Sequence, residues 1–229
     1  MSVESPPEFR EQHMRRLSWM PWLYASLKEK HLVWAKPWQA EVQAKLMREE
    51  TVTIAEDCFI APEAGIFAQL GRPIVIGARS TVAAHAFLHG PLTIGADVSI
   101  NARVSLDGGA VGITIGDGCR IASGATLYAF DHQLVPDRPV REQPVTSTGI
   151  TLGKDVWVGA NAGITDGVMV GAHAVIGMGA VVTSDVPEWA IVAGVPARVI
   201  GDRRTRGSRW LNSSTRWSAL RTTGAAFKT

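Results

Sequence analysis

Residues 54–187 place their apolar side chains on a step of six. The series runs Ile54, Ile60, Ile66; Ile76, Val82, Leu88; Ile94, Ile100, Leu106; Ile115, Ile121, Leu127; Leu152, Val158, Ile164; Val170, Ile176, Val182. Extra residues fall only after the third member of a triplet, where the surplus over six is 4, 0, 3, 19 and 0. A helix repeats near 3.6 residues and a strand near 2, so neither produces this register. A coil of 18 residues with three short strands, free to bulge at one corner, does. The pattern predicts an all-β solenoid of about six coils over residues 51–187.

A second column supports it. Four residues after the first two apolar positions of each triplet stands a small side chain, among them Cys58, Ser80, Ala86, Val98, Cys119, Ala125, Ala162 and Ala180. Small side chains suit a narrow interior packed at crystal-like density. One residue after the apolar position, the first two corners carry glycine or alanine, the residues of a tight corner backbone. Asn101 is the exception there, and the third corner breaks the rule throughout with Phe67, His89, Asp107, Tyr128, Thr165 and Thr183. Chemistry is expected near Asn101 and the third corner.

Residues 1–50 lack the step and form an N-terminal helical segment. Pro7, Pro21 and Pro37 each suit the first turn of a helix, giving helices to Leu17, about His31 and Glu49. Trp19, Trp22, Trp34 and Trp38 are its packing anchors, and the segment is expected to cap the open strand edges of the first coil. After Val182 the step ends. Residues 188–229 hold an apolar return segment (190–201) and a basic tail.

The net charge of +2 is unevenly spread: residues 202–229 carry 7 basic and 1 acidic side chains, residues 51–201 carry 8 and 13. Without aromatic interleaving or a known motif, that tail does not read as a nucleic-acid site. No apolar run is long enough to span a membrane and no secretory signal is visible, so the chain reads as cytoplasmic. Both cysteines sit in the small inward column, where they are packing residues, with neither a disulfide nor a metal expected.

The 19-residue excursion makes a protruding loop over about 129–149, with Asp131, His132, Gln133, three prolines, Arg138, Arg141 and Glu142. An insertion of this kind in a regular fold is a functional element, and the prolines favour a defined arm.

The run Gly149 to Gly201, with "DVWVGANA" and "GVPARVIG", resembles the hexapeptide-repeat acyltransferases, most closely the maltose, galactoside and polysaccharide O-acetyltransferases. The resemblance implies a left-handed parallel β-helix, a homotrimer, and acetyl-CoA in the groove between two subunits. It implies a sugar-type acceptor and no nucleic-acid or membrane partner. His132 matches the catalytic histidine, a general base that removes a hydroxyl proton near neutral pH. Glu142 or Asp131 would hold its second ring nitrogen. Asn101 and Asp107 match acceptor-binding positions. Trp157, Gly159 and Ala160 match the thioester end of the cofactor groove, Met178 the pantetheine arm, and Thr183 and Arg198 the phosphates. Ser184 stands where relatives carry lysine, and Gly201 where they carry a second arginine; Arg203 and Arg204 are candidates to replace that charge.

Three other readings share the pattern: a xenobiotic or antibiotic acetyltransferase of the same fold, a zinc protein like the γ-class carbonic anhydrases, and a silent scaffold. His85 and His89 suggest the zinc protein, but their spacing of four is not that family's five and a third ligand histidine is missing from the coils.

Overall fold

The structure, a computed structural model, describes residues 7–206. The basic tail from 207 onward lies outside the described residues. Three parallel sheets make the three faces of a prism. The register follows the step of six: Ile54 pairs with Ile76 and Ile76 with Ile94 on the first face, Ile60 with Val82 on the second, and Ile66 with Leu88 on the third. Every residue of the apolar series except Ile54 is buried, as is every member of the small column except Ala64. The polar member, Ser80, donates to the Gly95 carbonyl at 2.8 Å and accepts from the Val98 N–H at 2.9 Å. A further inward column on the first face (Val52, Ile74, Leu92, Ile113, Ile150) follows from strand alternation two residues upstream of the series.

The glycines one residue past the series serve a purpose different from the expected one. Their φ angles are ordinary, and the left-handed residues lie two positions later, at Asp57, Arg79, Asp97, Gly118, Asp155 and His173 on the first corner. What fixes the glycines is the next coil: a Cβ on Gly77 would lie 2.5 Å from the Gly95 carbonyl carbon.

Helix α1 (Pro7–Trp19) leads through a short 3-10 helix at Pro21–Ser26 to α2 (Glu29–Glu49). Pro37 therefore lies inside α2, where the sequence suggested a helix start. The carbonyl its missing N–H would have engaged belongs to Val33, whose side is 72% exposed, so water can take that oxygen. Helix α2 caps the first coil: the Gln39 carboxamide pairs with both backbone groups of Ile60. Leu17, Trp34 and Trp38 pack around Phe59, whereas Trp22 is exposed.

The stack also continues beyond the apolar series. Val186 bridges to Val170 on the first face, and Ala190–Ala193 joins the second face beside Val175–Ile176. Arg198–Asp202 then returns antiparallel. The return segment is thus a partial seventh coil. The step from Ile176 to its partner Val192 is two residues short of 18, which hid it from a fixed period. Among the described residues no helix is long and apolar enough to cross a membrane.

Candidate active site

The arm leaves the corner between the third and first faces after Tyr128. It is a hairpin in which Asp131–His132 pairs antiparallel with Val145–Thr146. Its tip is held by Gln143, buried among exposed neighbours, whose Oε1 accepts from the Val135 N–H at 2.9 Å. The same side chain donates from Nε2 to the Val135 and Arg138 carbonyls at 3.0 and 2.8 Å. At the base, the Ser147 hydroxyl donates to the Ala129 carbonyl (2.6 Å) and accepts from the Ala110 and Val111 amides. The arm is therefore a built element fastened to the neighbouring bulge.

His132 projects from it into solvent, with its ring 6.4 Å from that of Phe130 and no hydrogen bond among the described residues. The structure does not bring Glu142 to it: that carboxylate is taken by Arg141 at 3.0 Å. Among the described residues the Asp131 carboxylate makes no hydrogen bond or ion pair with the ring either. Both ring nitrogens of His132 are available.

Phe130 also lines a cleft of about 550 Å³ beneath the arm, shared with Arg72, His89, Asp107, Val145 and Ser147. Here the Asp107 carboxylate is enclosed. One oxygen lies 3.1 Å from His89 Nδ1; the other accepts from the Gly109 N–H at 3.1 Å and lies 3.6 Å from Arg72. This group was legible only as a stacking relation, since His89 and Asp107 hold the same place in successive coils.

The cofactor candidates lie elsewhere. Trp157 stands on the second face, 53% exposed, and Ala160 and Met178 follow at the corner between the second and third faces, Met178 77% exposed. The Ala160 N–H has no partner among the described residues, while its carbonyl accepts from Gly179. Gly159 lies so close to the next coil that a Cβ there would meet the Met178 amide nitrogen at 2.6 Å. Asn101 shares this corner, and its side-chain amide donates to the Ile121 carbonyl at 3.0 Å, so that end of the side chain is already used. Within the chain, His132 and the Trp157 edge thus stand at different corners of the prism.

Two family models match the coils: one described as bacterial transferase hexapeptide (six repeats), over residues 149–184, and one as hexapeptide repeat of succinyl-transferase, over 91–129. The galactoside O-acetyltransferase of Escherichia coli strain K12 is 30% identical over 174 residues, 76% of this chain and 75% of the relative. The chain belongs to the hexapeptide-repeat acyltransferases. Among solved structures, AntD, an N-acyltransferase from Bacillus cereus in complex with dTDP and 3-hydroxybutyryl-CoA, superposes with a TM-score of 0.63 at 27% identity, over 78% of this chain and 96% of that one. A variant of the same enzyme holds dTDP-4-amino-4,6-dideoxyglucose and coenzyme A and gives 0.64 at 26% identity, over 76% and 96%. The fold of this acyltransferase is the left-handed parallel β-helix.

Its remaining candidates fall at the far end of the stack. Thr183 and Ser184 are exposed after the last strand of the third face. Arg198 begins the antiparallel strand and is exposed, with Nη1 donating to the Ala197 carbonyl at 2.8 Å. Arg203 and Arg204 do not supply free charge for phosphates, because each has an internal carboxylate. Arg203 donates to Asp155 at 2.8 Å, and Arg204 to Asp202 at 2.6 Å. The Asp155 carboxyl is held below its usual range, first by its hydrogen bond to His173 and then by Arg203. His85 and His89 do not converge: His85 packs 5.3 Å from the Trp19 ring, and His89 turns to Asp107.

Proposed function

We propose that this enzyme moves an acetyl group from acetyl-CoA to a hydroxyl of a sugar-type acceptor, in sites shared by two subunits of a homotrimer. The observation that carries the reading is the separation within one protomer: an unpartnered imidazole on a rigid arm at one corner, and an exposed Trp157 with a free Ala160 N–H at another. A second copy of the chain would bring the two together, and a groove between copies would give cover to Trp157 and Met178.

The residues present fit a thioester substrate. Acetyl-CoA supplies an acyl carbon already activated for attack. Trp157 and the corner through Ala160 and Met178 line its acyl and pantetheine end, while Thr183, Ser184 and Arg198 lie toward its phosphates. His132 takes the proton of the acceptor hydroxyl as that oxygen attacks, then passes it to the departing thiolate. The Ala160 N–H donates to the carbonyl oxygen as it gains negative charge, a role fixed dipoles fill without reorganisation. Asn101, through its unbonded Oδ1, remains an acceptor contact from the neighbouring subunit. The ring nitrogen of His132 that does not face the acceptor would find its acceptor across the same interface, since Glu142 is engaged with Arg141.

The sugar reading is supported by the galactoside acetyltransferase likeness and by the amino-sugar nucleotide held by AntD. The latter favours a second reading, transfer to a sugar amine. Thiol release from acetyl-CoA against galactosides, nucleotide sugars and amino-sugar nucleotides separates the two. His132→Ala is expected to abolish release with every acceptor while leaving CoA binding intact. Full activity in that variant, or a monomer by sedimentation, overturns the reading.

A further inference from the structure

His89 and Asp107 face each other across adjacent coils of the third face, and the aspartate is spent inside the protein. It holds the His89 ring at Nδ1, the Gly109 amide and the Arg72 guanidinium, and Arg72 is itself anchored by Nε to the Gly90 carbonyl at 2.8 Å. A carboxylate at Nδ1 makes that nitrogen the N–H donor, so in the neutral ring Nε2 is the bare, accepting nitrogen. Nε2 has no partner among the described residues. The ring is half-buried and lines the cleft together with Phe130, which also touches His132.

A hydrogen-bond acceptor of fixed direction beside an aromatic face is matched by a molecule with hydroxyl groups around an apolar ring. We propose that His89 orients the acceptor: its Nε2 accepts a hydrogen bond from a sugar hydroxyl next to the reacting one, and so decides which hydroxyl reaches His132. Asp107 is then a positioning residue acting through His89, in place of the direct acceptor contact that the resemblance implied. The proposal deepens the acyl-transfer reading and rests on it for the identity of the acceptor.

The test uses the intact enzyme labelled with 15N-histidine, acetyl-CoA, and two acceptor probes, methyl β-galactoside and dTDP-4-amino-4,6-dideoxyglucose. A proton-free Nε2 signal from His89 is expected to move when a probe is added. In folded His89→Phe, the probe's KM rises about tenfold, the loss of one hydrogen bond, while the KM for acetyl-CoA stays within twofold. The position acetylated, read by NMR of the product, becomes mixed. His89→Gln, whose amide reaches the Nε2 position, recovers most of the affinity. Asp107→Asn offers an N–H to Nδ1 and so drives the proton to Nε2; its spectrum shows the other tautomer and its probe KM rises as in His89→Phe. An unchanged KM and product in folded His89→Phe overturns the proposal, as does transfer with a His89 signal that neither probe moves. A moved signal without transfer supports the binding role and refutes the acetyl-transfer reading. No movement and no transfer overturns both.

Discussion

The side chain of Gln39 meets Ile60 as a neighbouring strand would: Oε1 accepts the Ile60 N–H at 2.8 Å, and Nε2 donates to the Ile60 carbonyl at 3.1 Å. Gln43 continues the imitation one step away, donating to the Cys58 carbonyl at 2.8 Å. A solenoid must end somewhere, and its terminal coil offers a row of unpaired backbone groups to any passing strand. Here one helix supplies the missing pairing from its side chains. Gln39→Leu keeps the volume and strands two buried backbone groups, which costs about 2–4 kcal/mol in all. Thermal unfolding should move down by several degrees, and light scattering should reveal association through the bared edge. Gln43→Leu also loses the bond from Nε2 to Gln39 Oε1 (3.2 Å) but strands only one backbone group, so it should lose roughly half as much.

Two kinds of glycine stand at the corners of the coils, and they should respond differently to replacement. Gly77→Ala places a methyl 2.5 Å from the Gly95 backbone and 2.6 Å from the Ala96 amide, neither of which can swing aside. Prising the layers apart costs roughly 1–3 kcal/mol. At Gly118 (φ +73°) a Cβ would make only ordinary contact, 3.9 Å from the Asp155 amide nitrogen, so what a side chain must meet there is the left-handed backbone. Asp97 and Asp155 occupy the same place one coil away on either side, so Gly118→Asn should be close to neutral in chemical denaturation.

Those two cases also separate what the sequence reveals from what it conceals. The inward columns are legible because each position repeats a single demand, an apolar side chain of fixed size facing a narrow interior. The glycines were visible too, but a spacing cannot tell a conformational need from a lack of room. The partial seventh coil escaped because Val186 and Val192 arrive two residues early. Pro37 looked like a helix start because a proline signals the local backbone and not the solvent around the carbonyl four residues back. In the site, the histidine-bearing arm stood out as the one long insertion. His89 drew attention for its nearness to His85 in the chain, whereas its partner is Asp107, one full coil away. Glu142 suggested itself by proximity, yet Arg141 is nearer still. What the proposed second subunit would add to the site is written in no single chain.

The two cysteines should be silent in the native protein. Cys58 and Cys119 lie in the same column three coils apart, roughly 14 Å at the usual strand spacing, too far for a disulfide. Burial pushes the Cys119 thiol up to about 11 and raises Cys58 in the same direction. Neither should react with a thiol reagent at pH 8 until the protein unfolds. The raised value favours the protonated form in the folded state, so the contribution is complete below the ordinary thiol value near 9. It is lost as the pH rises from there toward 11. Stability in urea should therefore decline over that interval, and Cys119→Val should flatten the decline.

The proposed role of the Ala160 amide can be tested by removing the hydrogen and nothing else. Ala160 precedes Asn161, which has φ 55°, and so stands in a corner turn whose earlier position proline occupies readily. Its own N–H makes no bond among the described residues, so Ala160→Pro removes no internal hydrogen bond. If that N–H donates to the acyl oxygen only as charge develops, the loss must appear in the chemical step. We expect kcat to fall about 100-fold, the scale of a missing oxyanion donor. The KM for acetyl-CoA should stay within a few-fold, because the proposed contacts of Trp157 and Met178 are untouched. Ala160→Ser, which retains the N–H, should keep most of the rate. A rise in KM at unchanged kcat would assign the amide to ground-state binding and remove it from the reaction.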